Sequence, residues 1–554
     1  MRGMSPSFVS SRSVGGDKGR RQSEMQRVTR IVRAAAASLG ALAAVTSVLI
    51  VFNVASFGSV ELQRLREPTL VFWICVLAVL LLRPDRSDAW ARWTSMVEAR
   101  FASPPAFAAI AGFGGLLLVA SSLTHHLAFN TYSHDLGIYQ EALAGAWEWP
   151  PLYSRWLGSS FLGEHFSPVL FLIAPLYRAM SSPLTLVLLH AVVLWVGVFP
   201  LAAVGRELGL TRAITNLVCL VYLFFPTVAR AAAYPFHHEV FYPVVLISLY
   251  LGFLQRKPLL VALMVLAAVA VKEDAGLYLV GMGVFFGLHH RRWRWGAPIA
   301  VAGAVSTAVA VVWIIPFFQT GSAGYGFLGR WHAWITPVGF MGAAGDVLAA
   351  IFTEDFITVI AATVLLPFRG RWTWTVVAIP VLLNLTSSTA NQAQLGLYYG
   401  VPVAATAAVA SMAALGCRPT SRAGGLKLAA VALVINVAAF TYPSIPPYRG
   451  EVLAELRRID REATVAASAS FDPLLQYIER RELILPGEKP STDLVVVRTD
   501  RFTWPLDRDQ ASELVSRLEA SPWYEERFRR GGFVIFEHRT DSGEAIDRIF
   551  GLAK

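Results

Sequence analysis

The sequence predicts an all-α polytopic transmembrane bundle of about thirteen helices, followed by a small C-terminal α/β soluble domain. Three observations lead there. Of the 554 residues, 55% are hydrophobic and only 16% are charged, whereas a soluble domain carries about 25% charged residues. The apolar residues are clumped into runs of roughly twenty, the length that crosses a bilayer, rather than spread at a helix or strand period. Such runs recur to about residue 442, after which the chain turns charged. A water-soluble globular protein of this length would interrupt those runs with surface polar groups.

Taken in order, residues 1–30 are rich in Ser, Gly and Arg and read as a disordered cytoplasmic tail. Residues 31–104 read as an extra N-terminal transmembrane hairpin, with candidate spans 31–53 and 67–83, and a cytoplasmic loop. Residues 105–444 read as the transmembrane core, with spans 105–121, 184–204, 213–229, 239–255, 258–271, 275–289, 297–318, 346–367, 373–388, 396–416 and 426–442. The pair 258–271 and 275–289 is short, as expected of tilted, re-entrant or bundle-buried helices. Alternate connections carry the basic residues: Arg83, Arg86, Arg92 and Arg100; Arg206 and Arg212; Arg256 and Lys257; Arg291, Arg292 and Arg294; Arg369 and Arg371; Arg418, Arg422 and Lys427. The positive-inside rule puts these in the cytoplasm of a cell-membrane protein. An odd number of spans then places residues 445–554 outside. In that extracytoplasmic α/β domain, 451–462 and 507–520 read as helices, and 493–498 and 532–537 as strands.

Composition also bounds function. The net charge of +10 sets topology and does not mark a nucleic-acid binder, because the cations sit mainly in short connections. Cys75, Cys219 and Cys417 lie in or beside apolar runs and make neither a disulfide framework nor a metal knuckle. There is no P-loop and no dinucleotide fingerprint, nor an internal repeat of the transporter kind.

The polar residues gather on the predicted outer side. After the third span come Asp135, Tyr139 and Gln140, then Glu164 and His165. The next outer connection holds His237, His238 and Glu239. Lys272, Glu273 and Asp274 follow between two apolar runs. Tyr325, Arg330 and His332 follow the ninth span, and Gln394, Tyr398 and Tyr399 lie in the penultimate outer loop. Each group has a plain structural reading. Asp135 could cap a loop helix, Glu164 and His165 could be an exposed pair, and the His-His-Glu group and the tyrosines could anchor the interface. The Lys-Glu-Asp group could hold two helices together. Jointly they describe a polar cavity at the membrane boundary. Carboxylates there serve as general bases or metal ligands, and imidazoles and cations stabilise a developing anionic phosphate. Asp135, Glu164, His165, His237 and Glu239 are candidate ligands for a divalent metal ion, although no strong spacing such as HExxH is present.

His134-Asp-Leu-Gly-Ile-Tyr-Gln140, Glu164-His-Phe-Ser-Pro168, Phe236-His-His-Glu239 and Lys272-Glu-Asp274, with Val465-Ala-Ala-Ser-Ala-Ser470 and Asp493-Leu-Val-Val-Val, together resemble the DUF2079 family of predicted bacterial membrane proteins over roughly residues 105–500. That family in turn looks like the GT-C superfamily of membrane glycosyltransferases, which includes protein O-mannosyltransferases and the aminoarabinose transferase of lipid A. The resemblance implies a GT-C-like bundle, a polyprenyl-phosphate-linked sugar as donor, and an envelope glycan, lipid or protein as acceptor. It also implies an acidic catalytic residue in the first outer loop of the core, here Asp135. Many superfamily members carry paired acids there, whereas this chain has His134-Asp135. On this reading Tyr139, Gln140, His237, His238, Lys272 and Arg330 contact the donor phosphate or substrate. Glu164, His165, Glu239, Glu273, Asp274, Tyr325, Gln394 and Tyr398 line the acceptor side or cavity. Chemistry at the boundary is what such a donor needs, since its tail stays in lipid while its sugar faces water. Two other classes fit a polytopic chain: a transporter or lipid flippase, whose polar groups would lie near mid-membrane, and a non-catalytic membrane protein whose outer domain binds envelope components.

Overall fold

Helix boundaries fall where the sequence punctuates its apolar runs. The computed structural model describes residues 56–57, 60–61 and 88–539, apart from 132–133, 320–328, 331–336, 354–355, 358, 360–362, 364–365, 418–442, 444, 488–489 and 501–504. The tail expected over 1–30, the spans expected over 31–53, 67–83 and 426–442, and Tyr325 and His332 lie outside these. In the unit Met1–Met96, Ser56–Phe57 pairs antiparallel with Val60–Glu61, and the helix Asp88–Ala102 begins.

The unit Val97–Lys554 holds the helical bundle and the C-terminal domain. Pro104–Leu127 starts on prolines after Ser103, a position where a missing N–H costs the helix nothing. Among the described residues, Pro104–Leu127, Pro183–Glu207 and Trp293–Phe318 are long and apolar enough to cross a bilayer. Arg212–Leu223 and Pro226–Ala232 make a fourth if counted together, bent by 46° where Pro226 cannot continue the first helix. The remaining expected spans are shorter apolar helices: Phe241–Leu254, Pro258–Val271, Ala275–Leu288, Pro337–Ile351, Thr375–Leu385 and Val401–Cys417. The run expected as one span over 346–367 is not one helix. Its first part belongs to Pro337–Ile351, which ends where Phe352 and Thr353 turn back onto the carbonyls of Ala349 and Ala350. The helix expected from residue 396 begins at Val401, because Leu395 and Leu397 adopt positive φ.

Short helices pack closely where side chains are small. Val401–Cys417 is Ala-rich and buried over nearly its whole length. Ala275–Leu288 and Trp293–Val309 meet glycine to glycine: a Cβ on Gly276 would lie 2.1 Å from the Gly303 carbonyl oxygen, and one on Gly283 would lie 2.4 Å from that of Gly296. This is the small-residue contact that lets membrane helices approach without a hydrophobic driving force.

The stretch expected as a long loop after the third span contains two helices, His134–Ala144 and Val169–Ala179. The C-terminal domain is a five-stranded mixed sheet, in the order Arg480–Leu483, Thr464–Ala467, Leu494–Arg498, Phe533–His538, Tyr524–Arg530. The first three strands are parallel, and the last two pair antiparallel. Helix Arg508–Glu519 carries a capping box of Asp507 and Gln510 and covers one face of the sheet. Arg449–Leu456 and Phe129 pack on the other. The helix expected over 451–462 is thus shorter, Arg449–Leu456.

Candidate functional site

Three breaks in the helical pattern converge. One is the connection 233–240, between Pro226–Ala232 and Phe241–Leu254. The second is Lys272–Asp274, between two short helices. The third is the segment 164–168, ahead of Val169–Ala179. Each break frees polar side chains that a continuous apolar helix would not carry.

His238 stands at the centre and is fully buried. The Tyr139 hydroxyl lies 2.8 Å from its Nδ1, and the Ser167 hydroxyl 3.2 Å from its Nε2. Lys272 donates to Glu239 Oε1 over 2.7 Å, and both residues are buried. The second oxygen of Glu239 has no hydrogen-bond partner among the described residues and faces His238 Nε2 at 3.8 Å. Glu273 lies 2.8 Å from His165 Nδ1 and accepts from the Phe166 backbone N–H over 3.0 Å. Asp274 accepts from the hydroxyls of Tyr242 and Tyr278. Charged groups this far from water are costly alone and persist by pairing.

Asp135 closes the cluster on its accessible side. It occupies the first turn of His134–Ala144, and its side chain is 45% exposed, whereas that of His237, 3.6 Å away, is 5% exposed. That separation is too long for a hydrogen bond. The His237 ring lies face to face on Tyr398, with centroids 3.7 Å apart. Its Nδ1 is 3.3 Å from the Pro235 carbonyl, and its backbone N–H donates to His190 Nδ1. Burial pushes the His237 imidazole below its usual pKa, against the pull of Asp135 and Glu239. A half-exposed carboxylate is therefore backed by a held imidazole whose charged form burial disfavours, an arrangement that can accept a proton from a hydroxyl.

Asp135, Tyr139, His165, His237, His238, Glu239, Lys272, Glu273, Asp274 and Tyr398 thus form one network. Other expected site residues lie differently. Gln140 turns to the Tyr177 hydroxyl, and Arg330 donates to Gln392, 3.0 Å away. Glu164 and Gln394 are half-buried and make no side-chain hydrogen bond or ion pair among the described residues. Among those residues, no three His, Cys, Asp or Glu side chains are grouped to hold a metal ion, so the candidate ligand set Asp135, Glu164, His165, His237 and Glu239 is not assembled as one group.

Two partners lie beyond the sequence reading. His190 is buried in an apolar helix and holds the His237 backbone; a lone His inside a span was the available signal. Arg481, in the C-terminal domain, contacts Glu141 on the Asp135 helix, and nothing in its sequence surroundings distinguishes it.

A family model described as "Predicted membrane protein (DUF2079)" matches residues 125–493. No curated protein matches the chain.

Proposed function

The chain belongs to the DUF2079 family of predicted membrane proteins, and on that premise we propose that it is a membrane glycosyltransferase of the GT-C kind. It transfers a sugar from a polyprenyl phosphate to an acceptor at the outer face of the cell membrane. The observation that carries this reading is the half-exposed Asp135 carboxylate set 3.6 Å from buried His237, at the open edge of a polar network bounded by apolar helices. A lipid-linked donor needs its reacting centre at such an edge.

The step is an inverting displacement. Asp135 takes the proton of the acceptor hydroxyl, whose oxygen forms a bond to the anomeric carbon. The bond from that carbon to the phosphate oxygen breaks, and its electron pair leaves with the lipid phosphate. Hydrogen-bond donors favour that departure. His237, beside Asp135, and Tyr398, stacked on the His237 ring, are the proposed contacts. Lys272 is committed to Glu239 and acts by holding that carboxylate, with His238 fixed beside it. A rival reading, a transporter or flippase, is favoured by the paired charges Lys272–Glu239 and His165–Glu273 among apolar helices.

The test is transfer of labelled sugar from polyprenyl phosphate by the purified full-length protein. Asp135→Asn is expected to lower the rate by about 10²–10⁴-fold, the usual contribution of a general base, with an unchanged melting temperature. Full retention of transfer would remove Asp135 as the base.

A further inference from the structure

The segment that carries Asp135 is gripped at two places by the C-terminal domain. The first grip is on the end of Pro104–Leu127 and on Phe129 just beyond it. Arg449 donates to the carbonyls of Leu127 (2.7 Å) and His126 (3.2 Å), the end of a helix where cations are favoured. Arg498, fully buried, donates to the Phe129 carbonyl over 2.7 Å. The Phe129 ring packs on Phe533 of the sheet, with centroids 4.9 Å apart.

The second grip is on the helix itself. Arg481 is 5% exposed and lies between two carboxylates, Glu141 of His134–Ala144 and Asp472 of the domain. Asp472 accepts from Arg481 Nε over 2.8 Å. The other oxygen of Glu141 accepts from the Ser154 hydroxyl and the Trp156 backbone N–H. Between Glu141 and Asp135 lies Gly137, and a Cβ there would stand 1.6 Å from Asp472 Oδ2. The helix can approach the domain this closely only because residue 137 has no side chain. Asp135 and Glu141 are about 9 Å apart along the axis, so a contact at Glu141 and Gly137 sets the rotation of the turn that presents Asp135.

We propose that Arg481, Asp472 and Glu141, with Gly137, are positioning residues: the C-terminal domain holds the His134–Ala144 helix in the rotation that sets Asp135 against His237. The domain is therefore part of the site, and does not serve only to recognise an acceptor. The consequence for catalysis rests on Asp135 being the proposed base. The geometric claim does not, so the two can fail separately.

The experiment is carbodiimide coupling of a small amine to Asp135 in the full-length protein in lipid nanodiscs, quantified by mass spectrometry across a pH series. Amide hydrogen exchange in Leu494–Arg498 and Phe533–His538 is followed in parallel. Arg481→Met and Gly137→Ala are expected to raise the labelling of Asp135 several-fold and to shift its pH profile, while the sheet stays protected. Arg481→Lys should restore part of the wild-type profile. An Asp135 profile identical to wild type in both Arg481→Met and Gly137→Ala, with the sheet intact, would overturn the proposal. If Arg481→Met also deprotects the sheet, Gly137→Ala, which removes no charge, decides alone. Transfer activity is not read, so the result stands whatever reaction the protein performs.

Discussion

At the scale of single residues, the buried charges divide by whether their partners complete them. Lys272 and Glu239 neutralise each other, but one Glu239 oxygen has no hydrogen-bond partner among the described residues. Lys272→Met would leave that carboxylate buried and unpaired, at a cost of about 3–5 kcal/mol. Thermal melting of the solubilised protein should show the loss, and Lys272→Met/Glu239→Gln should recover most of it. Asp472 behaves in the opposite sense. Burial raises its pKa to about 6, against the pull of Arg481 and with help from Glu141. Its folded pKa exceeds the unfolded value of about 3.9, so its contribution is complete below that value and is lost as pH rises through about 6. Melting curves between about pH 4 and pH 7 should fall by up to ~3 kcal/mol in wild type and show less dependence in Asp472→Asn. Most residues of the cluster were legible in the sequence as polar groups out of place among apolar runs. Glu141, Asp472 and Arg481 were not, because on a helix or in a soluble domain an acid or an arginine is ordinary, and only the fold brings these together.

At the scale of elements, composition identified the apolar helices better than their length. The limits 258–271 and 275–289 agree closely with the structure, since Pro258 and the Lys272–Asp274 break mark them plainly. Other runs misled because hydropathy does not register a bend at Pro226, positive φ at Leu395 and Leu397, or a turn at Thr353. Two helices between residues 134 and 179 were read as loop because they are short and sit among Ser, Gly and Pro. Close packing of the short helices depends on glycine. Gly276→Ala places a methyl against a backbone carbonyl that cannot move alone, and overpacking of this kind costs about 1–3 kcal/mol. A melting temperature equal to wild type would show that the two helices separate at no cost.

At the scale of the whole molecule, the C-terminal domain docks on the helix that carries Asp135. The matched family region runs from residue 125 to 493. It takes in Glu141, Asp472 and Arg481 and stops just before the strand Leu494–Arg498, so it includes both sides of the grip on the Asp135 helix. The C-terminal α/β domain was foreseen from its charge and its alternating strands, but its docking onto the Asp135 helix was not, since long-range contacts leave no local pattern. Placement of Asp135 beside His237, under a domain that holds its helix, suits a reaction at the edge of the lipid. The most direct measurement is mass spectrometry of lipids extracted from the purified protein, with and without Asp135→Asn. A polyprenyl phosphate or its glycosylated form, enriched in the variant because transfer has stopped, is the predicted result. Ordinary phospholipids alone in both samples would contradict the transferase and favour a transporter.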